Sequence, residues 1–457
     1  MTDPEPMRPA RFTPRVLLAA AAVLLIGFTI ELTYYYRFVG LLALHPRVIW
    51  ALQGLCVLMA AAVLWGGARV HRALLYGIWL FLAVEGALQG LAVLGWLPDI
   101  GAYDFAPYSR VYTRTGNSIT NRYGWYAPRF ALRPGAKKIA IIGDSYIQAL
   151  DIQPQENLGA VLERRLNAGA GVQTEILPLG ISGTCPAYYL ELLRYARTRL
   201  HADEAVIFVT VVNDFMNSSS ELNPAWWNPA RYIYYRIGDG RVELDPRSQP
   251  AVYRLRQEME LTHRGLGLNL ARTIRSYILL EKSLKNPLDR WRQTRNLRAQ
   301  QPASGEIELP MGGQRGLFVR PITPEVQKGV DIGLGVLRLC RDYARSQGMT
   351  LRIVTIPSFP LKFYELYESR PDPAWSLRFG KYDFSQPERL VMDFAEKEGI
   401  PALSLGQYIK ARGLSAREIK PLFFFGFGHF TPAGHRFVAE ALQESFFVPP
   451  GRSQKVL

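Results

Sequence analysis

The stretch that decides the fold is Lys137-Lys-Ile-Ala-Ile-Ile-Gly-Asp-Ser145. A short apolar run that ends at a glycine is typical of a buried β-strand. A polar pair, Asp144 and Ser145, follows the run immediately. Because ligands of an open parallel sheet bind outside the carboxyl ends of its strands, we expect Ser145 to lie at a site of chemistry.

On both sides of this stretch, apolar runs of strand length alternate with amphipathic segments of helical period. Strand, helix and strand in alternation indicate a parallel sheet with helices on both faces. The sequence therefore predicts the α/β class, as a three-layer α/β/α sandwich. The predicted strands are 137–142, 174–179, 205–212, 351–357 and 401–405, and the predicted helices are 157–166, 186–200, 324–347, 387–397 and 432–445.

Polar residues follow the first three strands, and a histidine precedes the last helix. A serine becomes a nucleophile when a base takes its proton, which His429 could do for Ser145. Donors aimed at the carbonyl oxygen stabilise the tetrahedral intermediate. The backbone N–H groups of Ser145 and Gly183 and the side-chain amide of Asn213 could supply them.

These blocks resemble the SGNH (GDSL) hydrolase superfamily, because Gly-Asp-Ser145, Gly183, Asn213-Asp and His429-Phe-Thr-Pro-Ala-Gly-His occur in that order. The resemblance covers about residues 117–445, and Asn121-Arg-Tyr-Gly resembles a segment of membrane-linked members. It implies a flavodoxin-like fold, with Ser145 as nucleophile and first oxyanion donor. It further implies Gly183 and Asn213 as the other donors, His429 as base, and a cell-envelope polysaccharide as substrate or acceptor.

One block departs from the family pattern, in which an Asp stands three or two residues before the histidine. Gly426 and Phe427 occupy those positions, and no carboxylate lies between Lys420 and His429. Either a backbone carbonyl or a distant acid therefore orients His429, or the site is a weak Ser–His dyad. A degenerate site that only binds is the alternative. We expect Asp144 to support the site as a helix cap, and His435 to pack rather than catalyse.

Three long apolar runs lie before residue 98, at 16–36, 48–66 and 73–97. Each approaches the ~20 residues that a helix needs to cross the hydrocarbon core. Basic residues in the N-terminal tail and in the connection between the second and third runs favour a cytoplasmic location for both segments. Three crossings then place the rest of the chain outside, in the periplasm of a bacterium with the inner membrane as anchor. Glu85 lies within the third run, and we favour a structural pairing there over a functional role.

The predicted domains are a membrane domain with three transmembrane helices at 1–98, a linker and lead-in at 99–136, and a hydrolase-like domain at 137–448. An insertion interrupts the last domain at about 215–323, where the alternation stops. Trp226, Trp227 and three tyrosines cluster in it; they pack its base or form a sugar-stacking platform.

The formal net charge of +15 is not accompanied by a zinc-ligand spacing or an RNA-binding aromatic motif. We expect no nucleic-acid partner, and a basic face near anionic lipid or an acidic polysaccharide. Three cysteines form neither a disulfide framework nor a metal cluster. The sequence leaves open whether Cys185 and Cys340 form a disulfide bond.

Together these features predict an SGNH-type serine esterase that acts on O-acyl esters, in particular O-acetyl esters, of cell-envelope carbohydrate. No cofactor and no metal are expected. The expected partners are an acylated carbohydrate or small ester, inner-membrane lipid and envelope polysaccharide machinery. The alternatives are an O-acetyltransferase that modifies an exopolysaccharide or peptidoglycan, and a non-catalytic glycan-binding component of a polysaccharide assembly complex.

Overall fold

The structure is a computed structural model in which the chain forms two compact units. One unit comprises Met1–Asp104, Arg114–Gly116 and Leu270–Arg290, and the other comprises the remaining residues. The structure describes residues 19–24, 46–65, 67–93, 120–168, 173–211, 213–220, 232–263, 316–319, 321–357, 383, 385–424 and 429–447.

Two helices dominate the described part of the first unit, α1 (Pro46–Trp65) and α2 (Ala68–Val93). They coincide with the second and third apolar runs, and large apolar side chains such as Leu58 and Trp79 are exposed on them. Among the described residues, one helix, over Ala68–Leu88, is long and apolar enough to cross a membrane. Of the first apolar run, only the helical residues 19–24 are described, so three transmembrane helices remain a prediction.

A five-stranded parallel sheet organises the second unit, in the order β2-β1-β3-β6-β7. This is the doubly wound order of flavodoxin-like folds, with a switch point between β1 and β3. β1 to β3 are almost wholly buried, as expected for strands covered on both faces. The strands are β1 (Lys137–Gly143), β2 (Thr174–Gly180), β3 (Glu204–Thr210), β6 (Thr350–Ile356) and β7 (Ala402–Ser404).

Helices cover both faces of this sheet, which confirms the predicted α/β/α sandwich. One face packs against α5 (Pro186–Leu200), α8 (Pro324–Ser346) and α9 (Gln386–Lys397). The other face packs against the remaining long helices and the segment after β1. These are α3 (Ser145–Gln148), α4 (Leu158–Asn167), α10 (Leu405–Ala411) and α12 (Pro432–Leu442), with the short α11 (Ala416–Ile419) preceding α12 in the chain.

The described part of the predicted linker and lead-in, residues 120–136, packs into the core of the α/β unit. Trp125 is 1% exposed and lies with Tyr123 and Phe130 in the cluster beneath α5. The Asn121 side chain accepts hydrogen bonds from the backbone N–H groups of Tyr123 and Trp125, at 3.0 and 3.2 Å. This segment is therefore part of the folded unit, because its aromatic side chains complete the core.

The predicted insertion contains elements of its own in its described part. A hairpin, β4 (Tyr235–Gly238) and β5 (Arg241–Leu244), is followed by α7 (Gln249–His263), and α6 (Asp214–Asn217) precedes them. Tyr234 and Tyr235 are buried, so they pack the base of the insertion. Trp226 and Trp227 lie outside the described residues. Cys185 and Cys340 are both free.

Candidate active site

The carboxyl end of β1 presents Ser145 as the first residue of the short helix α3. Asp144 caps this helix, because its Oδ1 accepts the backbone N–H of Tyr146 at 3.0 Å. Burial raises the pKa of Asp144, and the hydrogen bond from Tyr146 partly opposes that rise. The cap predicted for Asp144 is therefore present, and it fixes the turn from which Ser145 projects.

His429 lies next to Ser145, although 284 residues separate them in sequence. Its Nε2 is 2.9 Å from the Ser145 hydroxyl. An isolated antiparallel β-bridge between Phe423 and Phe430 holds the segment of His429 in place. The ring of Tyr146 packs edge-on against the imidazole, with the ring centroids 5.1 Å apart. The predicted pairing of serine and histidine is thus present in the fold.

The acid that the sequence did not reveal is Asp151, whose Oδ2 lies 2.7 Å from His429 Nδ1. With Nδ1–H donating to Asp151, His429 Nε2 is left as the acceptor for the Ser145 hydroxyl. Asp151 comes from the loop after α3, six residues beyond Ser145. Of the alternatives that the sequence left open, the structure therefore contains the distant acid beside His429, in a Ser–His–Asp arrangement.

Gly183 lies in the turn after β2, at the same edge of the sheet. Gly143 and Gly180 are aligned across β1 and β2, and the backbone N–H of Ile181 donates to Gly143 at 3.1 Å. Gly183 has a φ of +72°, in the left-handed region that favours glycine. The sheet thus brings the turn of Gly183 beside the turn of Ser145.

Gln148, which the sequence did not single out, ties these two turns together. Its side-chain oxygen accepts hydrogen bonds from Ser182, at 2.9 Å from the backbone N–H and 2.5 Å from the hydroxyl. A Cβ on Gly180 would lie 2.1 Å from the backbone nitrogen of Gln148, so only glycine permits this close approach.

Asn213 follows β3, which is the other neighbour of β1 in the sheet. Its backbone N–H donates to Thr210 at 3.2 Å, and its side-chain oxygen is buried without a hydrogen-bond partner in the described part of the chain. A hydrogen bond from the Asn213 side chain lowers the pKa of Asp144, so this side chain faces the turn that carries Ser145. The oxyanion roles of Ser145, Gly183 and Asn213 remain predictions.

Asp214 is a second buried carboxyl at this edge. It accepts hydrogen bonds from the hydroxyl of Tyr189 and the backbone N–H of Thr210, each at 3.0 Å. Burial and then the neighbouring charge of Asp144 raise its pKa well above the ordinary value. Two carboxyls therefore lie buried behind the serine, and burial is the largest cause of the raised pKa of each.

His435, the second histidine of the C-terminal motif, is buried on α12. Its Nδ1 accepts the backbone N–H of Leu158 at 3.1 Å, and its ring packs against Phe430. Burial, followed by the charge on His429, lowers its pKa to about 3. It is thus a neutral, structural histidine, as predicted, and it joins α12 to the first turn of α4.

In the described part of the chain, no group of three or more His, Cys, Asp or Glu side chains is arranged to hold a metal ion. The polar groups that meet at the sheet edge are those of a proton-transfer site. A serine, an imidazole and a carboxylate in hydrogen-bonded series can carry out nucleophilic acyl transfer.

The chain matches no family model, and no curated protein resembles it significantly in sequence. Solved structures similar to it include TesA, at 13% identity and a TM-score of 0.32, covering 68% of this chain and 97% of TesA. A lipolytic protein of the G-D-S-L family from Desulfitobacterium hafniense matches at 9% identity and a TM-score of 0.31, covering 68% of this chain and 99% of that chain. A protein from Lactobacillus plantarum matches at 13% identity and a TM-score of 0.30, covering 69% of this chain and 100% of that chain. The family suggested by the sequence motifs is thus among these neighbours, but at such identities and TM-scores any inference about activity rests on the site itself.

Proposed function

We propose that this chain is an SGNH-type serine esterase that hydrolyses O-acyl esters, with Ser145 as nucleophile, His429 as base and Asp151 as acid. The observation that carries the proposal is the hydrogen-bonded series from the Ser145 hydroxyl through the imidazole to the Asp151 carboxylate. Each link is at hydrogen-bond distance, which is the geometry that general-base activation of a serine requires.

In the proposed reaction, the Ser145 oxygen attacks the acyl carbon while His429 Nε2 takes its proton. Asp151 holds the ring through Nδ1 and stabilises the imidazolium that forms. The imidazolium then protonates the departing alcohol, which leaves an acyl group on Ser145. Water, deprotonated by the same nitrogen, then attacks the acyl carbon. The imidazolium returns the proton to the Ser145 oxygen as the bond to the acyl group breaks and the acid is released. The N–H groups of Ser145 and Gly183 and the amide of Asn213 are the proposed donors to the oxyanion.

As the substrate we propose O-acetyl esters of cell-envelope carbohydrate, handled outside the cytoplasm by a membrane-anchored enzyme. The apolar helix α2 supports the anchor. The proposal of a carbohydrate substrate rests on the resemblance of Asn121-Arg-Tyr-Gly and Gly-Asp-Ser145 to membrane-linked members of the SGNH (GDSL) superfamily. If a sugar hydroxyl replaced water in the second step, the same residues would make an O-acetyltransferase.

The lack of an acid shortly before His429 in the sequence supports the alternative of a purely glycan-binding role. Asp151 weakens this argument for binding alone, because its carboxylate lies within hydrogen-bond distance of His429 Nδ1, where an orienting acid is needed. We therefore favour catalysis at this site over binding alone.

The test is hydrolysis of a chromogenic acetyl ester by the purified chain. Ser145→Ala is expected to reduce hydrolysis to background, and Asp151→Asn to lower kcat by roughly 10²- to 10⁴-fold, because the imidazole loses its fixed tautomer. Ser346→Ala, at an exposed serine of α8, is the matched control and should retain full activity. Hydrolysis that survives Ser145→Ala would overturn the proposal. Adding an oligosaccharide acceptor separates the two reactions, since acetylated sugar as the main product would identify a transferase.

A further inference from the structure

The proposed acid, Asp151, is carried by a loop and not by the segment of His429. We call residues 149–157, between α3 and α4, the acid loop. Its first residue, Ala149, has a φ of 54°, and the Asp151 side chain is 37% exposed. Because the side chain itself is not packed in place, the backbone of the loop has to determine where the carboxylate lies.

The far end of the acid loop is fixed by the start of α4. Asn157 caps this helix by accepting the backbone N–H of Ala160 at 2.9 Å, and the N–H of Leu158 donates to His435. These contacts lie six and more residues beyond Asp151. A separate contact is needed next to the acid.

Tyr126 supplies that contact, because its hydroxyl donates to the carbonyl oxygen of Ile152 at 2.8 Å. Ile152 is the residue directly after Asp151, so the bond holds the peptide unit between Ile152 and Gln153, one unit beyond the acid. Tyr126 follows the buried Trp125, and the Asn121 side chain binds the backbone of the same turn. The tyrosine is therefore held by a rigid, core-packed segment.

We propose that Tyr126 is a positioning residue that holds the acid loop so that Asp151 reaches His429. This gives a role to the segment that begins Asn121-Arg-Tyr-Gly, which the catalytic steps do not use. The proposal rests on the proposed esterase function, because it is expressed through Asp151.

The test is Tyr126→Phe in the full chain, which removes one oxygen atom and leaves the ring. We expect kcat to fall about tenfold, the order of one lost hydrogen bond, with KM unchanged within about twofold. Tyr408→Phe removes a hydroxyl that bonds Glu444 at 2.7 Å and is the matched control, with no expected change.

The decisive measurement is the double variant with Asp151→Asn. If Tyr126 acts through Asp151, Tyr126→Phe has no further effect on kcat in the Asp151→Asn background. Equal losses in both backgrounds would overturn the proposal and indicate a general effect on folding. Unchanged kcat in Tyr126→Phe would overturn it as well.

A spectroscopic readout and a folding control keep the outcomes distinct. The downfield proton resonance of the His429–Asp151 hydrogen bond should broaden or shift in Tyr126→Phe, and rates are compared at a temperature where both proteins are folded. Loss of hydrolysis in Ser145→Ala together with a silent Tyr126→Phe would reject only the positioning role. Hydrolysis that persists in Ser145→Ala would reject the proposed function itself.

Discussion

At the scale of single residues, Gln148 decides how the two turns of the candidate site face each other. It is 3% exposed, and its side-chain oxygen takes both the backbone N–H and the hydroxyl of Ser182. Ser182 precedes Gly183, whose N–H is a proposed oxyanion donor. Gln148 therefore sets the direction of a group whose alignment matters most in the transition state.

We expect Gln148→Ala to lower kcat by about tenfold while KM changes little, because the proposed donor loses its alignment and the ground state barely uses it. Steady-state kinetics on an acetyl ester provides the measurement. Gln407→Ala, at an exposed glutamine of α10, is the control and should leave both constants unchanged. A rise in KM at constant kcat would instead assign Gln148 to substrate binding.

Sequence patterns could predict Ser145, Gly183, Asn213 and His429, because each adjoins the end of a strand or the start of a helix. They could not predict Asp151, since a loop residue carries no periodicity and its partner is distant in the chain. The available signal was indirect. No carboxylate lies between Lys420 and His429, and Asp151 is the first carboxylate after Ser145.

At the scale of elements, α12 and α4 are joined through one neutral histidine. His435 accepts the N–H of Leu158, an orphan donor of the first turn of α4. Protonation of Nδ1 would remove this acceptor and place a charge in the core. The lowered pKa of His435, about 3, follows from that burial and from the charge on His429.

This pKa predicts how stability depends on pH. Between about pH 6.5 and pH 3 the unfolded chain binds a proton at His435 that the folded chain does not bind. The contribution of His435 to stability is therefore complete above about pH 6.5. It is lost as pH falls towards 3, by up to about 1.4 kcal/mol per pH unit.

We expect His435→Asn to flatten this pH dependence of the urea midpoint, since asparagine offers an acceptor near the position of Nδ1 but does not titrate. His201→Asn is the control. His201 is exposed, and asparagine tolerates its φ of 56°. The urea midpoint of His201→Asn should therefore depend on pH as that of the wild type does. An unchanged slope in His435→Asn would show that other groups govern acid unfolding.

The predicted strands of the sheet are all present, because buried parallel strands read as short apolar runs. The core packing of the lead-in and the hairpin β4–β5 could not be predicted, because no regular apolar pattern marks them. Residues 120–130 bury aromatic side chains through turns, without a helical or strand period. Tertiary packing against α5 decides their place, and a local pattern does not encode it.

At the scale of the whole molecule, two units of different surface chemistry share one chain. α1 and α2 expose large apolar side chains, whereas the second unit buries its apolar residues in two clusters about a sheet. Exposed apolar helices of this length are stable in lipid and unfavourable in water. The proposal that the first unit anchors the second to a membrane follows from this contrast.

The proposed orientation places the α/β unit outside the cytoplasm, and a single introduced cysteine tests it. Lys397 is exposed at the end of α9, whereas the three native cysteines are buried and should react slowly. We expect a membrane-impermeant maleimide to label Lys397→Cys on intact spheroplasts as fully as after lysis. The unsubstituted chain is the control and should stay unlabelled. Labelling of Lys397→Cys only after lysis would place the α/β unit in the cytoplasm. In that case an even number of crossings would precede it, and an envelope carbohydrate could not be its substrate.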